Sequence, residues 1–163
     1  MKASICIIWF LLSNLVSFGQ HIAFMIKDAD KVGISMYKLD SIYQSAVNID
    51  TSKAVFKTDS DQEEMFNAYQ KLLQDWGKFL RKNNFIWEIE TKGFNRVYFN
   101  KDGTIDYFAY NFPTSNLQAP VKGISEDKVK EFDRLLNIFI SSYKISMSAK
   151  VKFVQCSGTK YQP

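Results

Sequence analysis

Alternation is clearest between Phe85 and Phe112, in the stretch FIWEIETKGFNRVYFNKDGTIDYFAYNF. Apolar and aromatic residues recur there at every second position, the period of a strand with one buried face. The pattern predicts three strands, the last two joined by the turn Asn100-Lys101-Asp102-Gly103. Asn100 suits the first position of a type I turn, Lys101 and Asp102 its centre, and Gly103 the left-handed residue that follows. Such a loop closes on a glycine bulge, so Asn100 should lie opposite Thr104. Counting back pairs Phe99 with Ile105, Tyr98 with Asp106, Val97 with Tyr107, Arg96 with Phe108 and Phe94 with Tyr110. One face then carries Phe99, Ile105, Val97, Tyr107 and Ala109, with Asn95 its only polar member. The other carries Tyr98, Asp106, Arg96, Phe108, Phe94 and Tyr110. In the first strand Trp87 and Ile89 point inward, and Glu88 and Glu90 point to solvent.

Helical spacing appears three times. Met36, Leu39, Ile42, Tyr43, Ala46 and Val47 predict a helix between Met36 and Val47, preceded by a short apolar run from Ile22 to Ile26 that suits an edge strand or a helix start. A longer helix follows, with Ser60 as its cap and Glu63 completing a capping box. Its stripe is Met65, Phe66, Tyr69, Leu72, Leu73, Trp76, Phe79 and Leu80, and Asn83-Asn84 ends it. Beyond the polar connection Pro113 to Gly123, Ser125 caps a third helix, with Val129, Phe132, Leu135, Leu136, Phe139 and Tyr143 along one side. A final strand alternates Ile145, Met147, Ala149, Val151 and Phe153 with serines and lysines, and residues 157–163 read as a loose tail. The expected fold is α+β: a two-layer domain whose mainly antiparallel sheet of about four strands is covered by the two long helices, with an extra N-terminal helix. A helix between hairpin and final strand would let that strand run parallel to its neighbour.

The first nineteen residues have a different character. Met1-Lys2 is a short basic start, Ile5 to Val16 an apolar run, and Ser17-Phe18-Gly19 a peptidase-like site. The run is shorter than the ~20 apolar residues of a membrane span. The reading is a signal peptide over 1–19 of bacterial type, a single domain over 20–163, and a periplasmic or secreted product without stable membrane insertion. Loss of Lys2 lowers the formal charge from +4 to +3. With lysines spread along the chain, no basic stripe argues for nucleic acid. Cys6 departs with the leader, leaving Cys156 without an internal disulfide partner. A half-buried structural role fits Cys156 better than a reactive thiol or a dimer contact.

Candidate chemistry is sparse. Asn100 to Asp106 resembles the middle of a calcium loop, but Tyr98 and Ala109 stand where its first and last acidic ligands belong. His21 is the single histidine, which excludes a multi-histidine metal site, and no glycine-rich phosphate loop, serine elbow or Cys-x-x-Cys is present. No catalytic residue, metal or cofactor is therefore assigned. The order strand, Asp-Gly turn, strand, helix, strand over Val97 to Val154 resembles the C-terminal domain of TonB-type energy-transducing proteins. That resemblance is one of element order, and it carries no residue roles.

The functional expectation is a non-catalytic binding or interaction module that uses the aromatic sheet face. A small hydrolase-type enzyme built on acids or Cys156 is the alternative. Tyr98, Phe108, Phe94 and Tyr110, if bare, would form an apolar patch of the kind that marks interaction sites. The segment from Ile22 to Phe56 should cover Phe94 and Tyr110, leaving Arg96, Tyr98, Asp106 and Phe108 around a shallow groove. Aromatic rings with one cation and one anion suit an envelope protein, a peptide or a glycan as partner.

Overall fold

A computed structural model of the chain describes residues 21–112 and 124–163. The signal-peptide assignment and the connection from Pro113 to Gly123 lie outside the described residues. The fold is α+β, built on a mixed five-stranded sheet. Its strands are β1 (Ile22–Met25), β2 (Gln44–Ser45), β3 (Thr91–Phe99), β4 (Ile105–Asn111) and β5 (Phe153–Tyr161), in spatial order β1-β4-β3-β5-β2. Strand β3 is antiparallel to both neighbours, whereas β1 pairs parallel with β4 and β2 parallel with β5. The helices are α1 (Met36–Ile42), α2 (Asp59–Lys82) and α3 (Glu126–Ile140), with 3-10 turns at Ile26–Val32 and Thr51–Lys53.

The hairpin turn forms as its sequence dictates. Gly103 N–H donates to Asn100 O at 3.0 Å, Asn100 N–H to Thr104 O at 2.9 Å, and Gly103 has φ +90°. Phe99 pairs with Ile105, but the register then shifts by one: Tyr98 faces Tyr107, Val97 faces Phe108 and Arg96 faces Ala109. Asp106 is the extra residue of a β-bulge. Because side chains alternate with period two, one inserted residue moves the rest of β4 to the opposite face. Phe108, Tyr110 and Phe112 therefore join Val97 and Phe99 in the main core, while Tyr107 and Ala109 lie with Tyr98 on the other side. Asn95, the polar residue on the core side of β3, is buried and donates to Thr159 Oγ1 at 2.6 Å.

Helices α2 and α3 cover the main core face. Phe132 sits at its centre, with ring centroids 5.3 Å from Trp76, 5.0 Å from Tyr110 and 5.1 Å from Phe112. Each such side chain withdraws enough apolar surface to contribute about 1.5–3 kcal/mol. Thr58, not Ser60, caps α2, accepting from Asp61 N–H at 3.1 Å. Asn83 ends the helix, and Asn84 turns the chain at φ +58°. Ser125 caps α3, accepting from Lys128 N–H at 3.2 Å.

Four expected elements are corrected. The helix expected between Met36 and Val47 ends at Ile42, and Gln44–Ser45 forms β2 instead. Residues 85–90 form no strand: Phe85 N–H bonds Leu80 O at 3.0 Å, and Phe85 and Trp87 drop together into the aromatic core. The stretch from Ile145 to Lys152 is irregular, tied to the hairpin turn by Ile145 N–H to Gly103 O at 3.1 Å and Ala149 N–H to Lys101 O at 2.8 Å. The expected tail is instead β5, paired with β3 from Phe153 to Tyr161 and antiparallel to it. The β4–α3–β5 crossover does return a strand in the direction of β4, but β3 lies between them.

The sheet's second face is covered in part, which makes the molecule three-layered there. The 3-10 turn and α1 bring Ala29, Ile34, Leu39 and Tyr43 onto Phe24, Tyr98, Ala109 and Val154. The outer edge of β1 is occupied by a side chain: the Asn137 amide accepts from Ala23 N–H at 2.9 Å and donates to Ala23 O at 3.3 Å. Pairing an edge with a helix side chain leaves it unable to recruit another strand at that residue.

Candidate binding cleft

Arg96 and Tyr98 alternate on β3 and so reach the second face together, where Asp40 meets them from α1. Ser35 fixes the start of α1 by accepting from Lys38 N–H at 3.3 Å, and Leu39 is its buried residue. Asp40, next along the helix, is half exposed and binds the Arg96 guanidinium in an ion pair. The guanidinium also lies over the Tyr98 ring, 5.5 Å from its centroid. Tyr98 itself is fully buried, its hydroxyl 3.4 Å from Asp40 Oδ1, and burial holds that hydroxyl protonated well above the ordinary phenol range. Asp40, Tyr43, Ser45, Arg96, Gln155 and Cys156 are among the residues lining an open cleft of about 450 Å³.

Cys156 pairs with Arg96 across β3 and β5, and it is free and exposed. Although the residue is exposed, partial desolvation of its thiol among its neighbours pushes the pKa up, while Arg96 pulls the other way without reversing the direction. A thiolate nucleophile needs the opposite balance. His21 is engaged elsewhere, its Nδ1 2.6 Å from Ile105 O on β4.

A second polar group closes the covered part of this face. Tyr43 donates to Asp106 Oδ2 at 2.7 Å, and Lys152 Nζ reaches the same oxygen at 2.7 Å. The Tyr43 ring stands edge-on to Tyr98 at 5.1 Å and carries Lys152 Nζ at 5.3 Å above it. Asp106 is 5% exposed, so this charge is buried and needs both partners.

Of the four residues expected around the groove, only Arg96 lines the cleft. Tyr98 is its fully buried support, and Asp106 is locked beneath α1 rather than paired with Arg96. Phe108 lies on the helix side with no exposure, because the bulge reversed it. For the same reason Tyr110 is buried against α3, donating to Asp133 Oδ1 at 3.0 Å, whereas Phe94 is 40% exposed. The acid pair Glu88 and Glu90 is divided between Lys128 at 3.8 Å and Lys160 at 2.8 Å. Asp40 and Tyr43 belong to the site but carry no sequence signal beyond a helical pattern, since only tertiary packing brings α1 to β3.

Beside the cleft, β5 has an open edge. Strand β2 pairs only with Phe153 and Val154, so among the described residues Gln155 to Tyr161 meet no strand on that side. Val154 O accepts from Ala46 N–H at 2.9 Å, which sets Val154's backbone outward. Alternation then turns the N–H and C=O groups of Cys156, Gly158 and Lys160 outward as well. All three residues are exposed, paired with Arg96, Phe94 and Lys92 respectively.

No family model, curated protein or solved structure matches this chain. Its chemistry is therefore read from the geometry alone. Among the described residues no three His, Cys, Asp or Glu side chains group where they could hold a metal ion. No described helix is long and apolar enough to cross a membrane.

Proposed function

We propose that the protein is a non-catalytic binding module that takes an extended peptide along the outer edge of β5. The observation that carries this reading is the unpaired run from Gln155 to Tyr161 beside the Arg96 cleft. A bare edge presents regularly spaced donors and acceptors, and an added strand satisfies them while side-chain sites supply specificity. Gln155 Nε2 already donates to Cys156 O at 3.1 Å, an easily displaced occupant of one outward carbonyl. Cys156, Gly158 and Lys160 leave room on the second face, and Arg96 places a cation at one end of the run. A peptide with an acidic residue near that end fits best. The hydrolase alternative draws no support from a thiol pushed up by desolvation or from acids paired with lysines.

Selection of binders from a displayed library of extended peptides tests the reading. Binders should slow amide exchange at Cys156, Gly158 and Lys160. Gly158→Pro removes one outward N–H at an edge, where proline is tolerated, and should abolish capture without unfolding the protein. Binders that leave those amides exchanging freely, or that still bind Gly158→Pro, would refute it. The same proposal places the protein outside the cytoplasm, on the strength of residues 1–19. N-terminal mass analysis of the product made by a bacterial host should find Gln20 first, and retention of Lys2 would overturn that part.

A further inference from the structure

On the opposite side of the sheet, helix α2 contains a glycine that its backbone does not require. A glycine inside a helix costs about 0.5–1 kcal/mol relative to alanine. Gly77 has no positive φ, and a Cβ built there would meet only Arg81 Nη1, at an ordinary 3.8 Å. What Gly77 does is keep a wall low. It borders a groove of about 780 Å³ between α2 and the end of β5, within the usual size range of small-molecule sites. Trp87 and Tyr161, core residues only 6% and 8% exposed, border that groove, stacked at 4.5 Å and 20°, and Phe85 stands edge-on to Trp87 at 5.0 Å. Leu73 continues the wall, and Ile86, 66% exposed, forms an apolar lip.

The groove's cations are not equivalent. Lys78 is bound to Asp75 at 3.2 Å and Lys160 to Glu90 at 2.8 Å. The Arg81 guanidinium has no ion-pair or hydrogen-bond partner among the described residues, although Arg81 lines the same groove. A guanidinium is the side chain best matched to a planar carboxylate, which it grips with two parallel bonds. An apolar, partly aromatic trough with a single uncommitted guanidinium at its wall selects one ligand class by charge and shape.

We infer that this groove is a binding site for a small amphipathic organic anion, with an apolar or aromatic body over Trp87 and Tyr161 and a carboxylate on Arg81. The site shares no lining residue with the Arg96 cleft, although Lys160 and Tyr161 also belong to the far end of the edge proposed for peptide capture. The test is calorimetric titration with 2-naphthoate, 4-phenylbutyrate and laurate, with 2-naphthamide as a neutral control, while following the Trp87 indole N–H by NMR. At least one acid should bind with Kd below about 1 mM and shift that resonance. Gly77→Leu fills the groove and should weaken binding about tenfold or more, while thermal stability holds or rises through better helix propensity. Arg81→Gln should erase the preference for the acid over its amide while leaving amide binding unchanged. The inference fails if none of the three acids binds, or if Gly77→Leu binds as tightly as the wild type. It also fails if Arg81→Gln keeps the preference for acids.

Discussion

Replacing Gly103 by alanine should damage this fold far more than the same change at Gly33, although both glycines have positive φ. At Gly33, φ is +71° and a Cβ would meet nothing within 4 Å, so only left-handed strain applies, about 1–2 kcal/mol. At Gly103, φ is +90° and a Cβ would stand 2.3 Å from Met147 O and 2.9 Å from Ile145 O. Both are backbone atoms that no rotamer change can move. Relief requires shifting the irregular segment that leads into β5. That shift stretches the bonds from Ile145 N–H to Gly103 O and from Ala149 N–H to Lys101 O. Two hydrogen bonds at about 1 kcal/mol each, added to the strain, bring the total to roughly 3–4 kcal/mol. Ile145, 4% exposed, would loosen as well. For a domain of this size each kcal/mol lowers Tm by about 2–4 °C, so Gly103→Ala should melt roughly 6–16 °C below wild type. Equilibrium urea unfolding followed by tryptophan fluorescence gives both values. If Gly103→Ala and Gly33→Ala agree within about 0.5 kcal/mol, the resolution at which such differences add, the turn does not brace the path into β5.

Three further outcomes follow from the buried polar groups. Asp106→Ala strips Tyr43 and Lys152 of a shared partner; breaking a buried pair costs about 3–5 kcal/mol, reduced here to roughly 2–3 because Lys152 is 36% exposed, and a double-mutant cycle with Lys152→Met should recover most of that as coupling. Six of the eight tyrosines, Tyr43, Tyr69, Tyr98, Tyr110, Tyr143 and Tyr161, have hydroxyls pushed up chiefly by burial, Tyr161 to about 12. Folded values above the unfolded value of about 10 give stability that is present below that pH and lost as pH rises through the folded values. Absorbance at 295 nm should therefore show most tyrosinate appearing together with alkaline unfolding, and gradual ionisation of all eight near pH 10 in a still-folded protein would contradict this. Burial, aided by Asp28, also pushes the Asp133 carboxyl up against the pull of the Tyr110 hydroxyl. Its charged form is thus disfavoured at neutral pH, so Asp133→Asn should raise Tm at pH 7, an advantage that shrinks as pH falls through the raised carboxyl range and the wild-type group protonates.

Local chemistry determined the parts of this protein that local chemistry can reach. The turn Asn100 to Gly103, the stripe of α2 and the cap at Ser125 all depend on residues within a few positions of one another, and each forms as the sequence implies, except that Phe66 of the stripe is 53% exposed. Partial cover of the second face by the segment from Ile22 to Phe56 was also legible, although only Phe24, Ala29, Ile34, Leu39 and Tyr43 are buried there while Met25, Ala46 and Phe56 join the main core. Which residues stayed bare was not. That depended on Asp106, whose insertion is decided by where its carboxylate finds Tyr43 and Lys152, partners 63 and 46 positions away. The aromatic series Phe108, Tyr110 and Phe112 held the signal, because three rings in phase outweigh Tyr107 and Ala109 as a core face. Strand β5 escaped notice because FVQCSGTKY is polar on one side and carries a glycine; its pairing with β3 comes from backbone hydrogen bonds that composition does not encode. The cleft is likewise a product of tertiary structure. Arg96 is held by Asp40 from a helix 56 positions earlier, and the open edge exists because β2 stops after two residues.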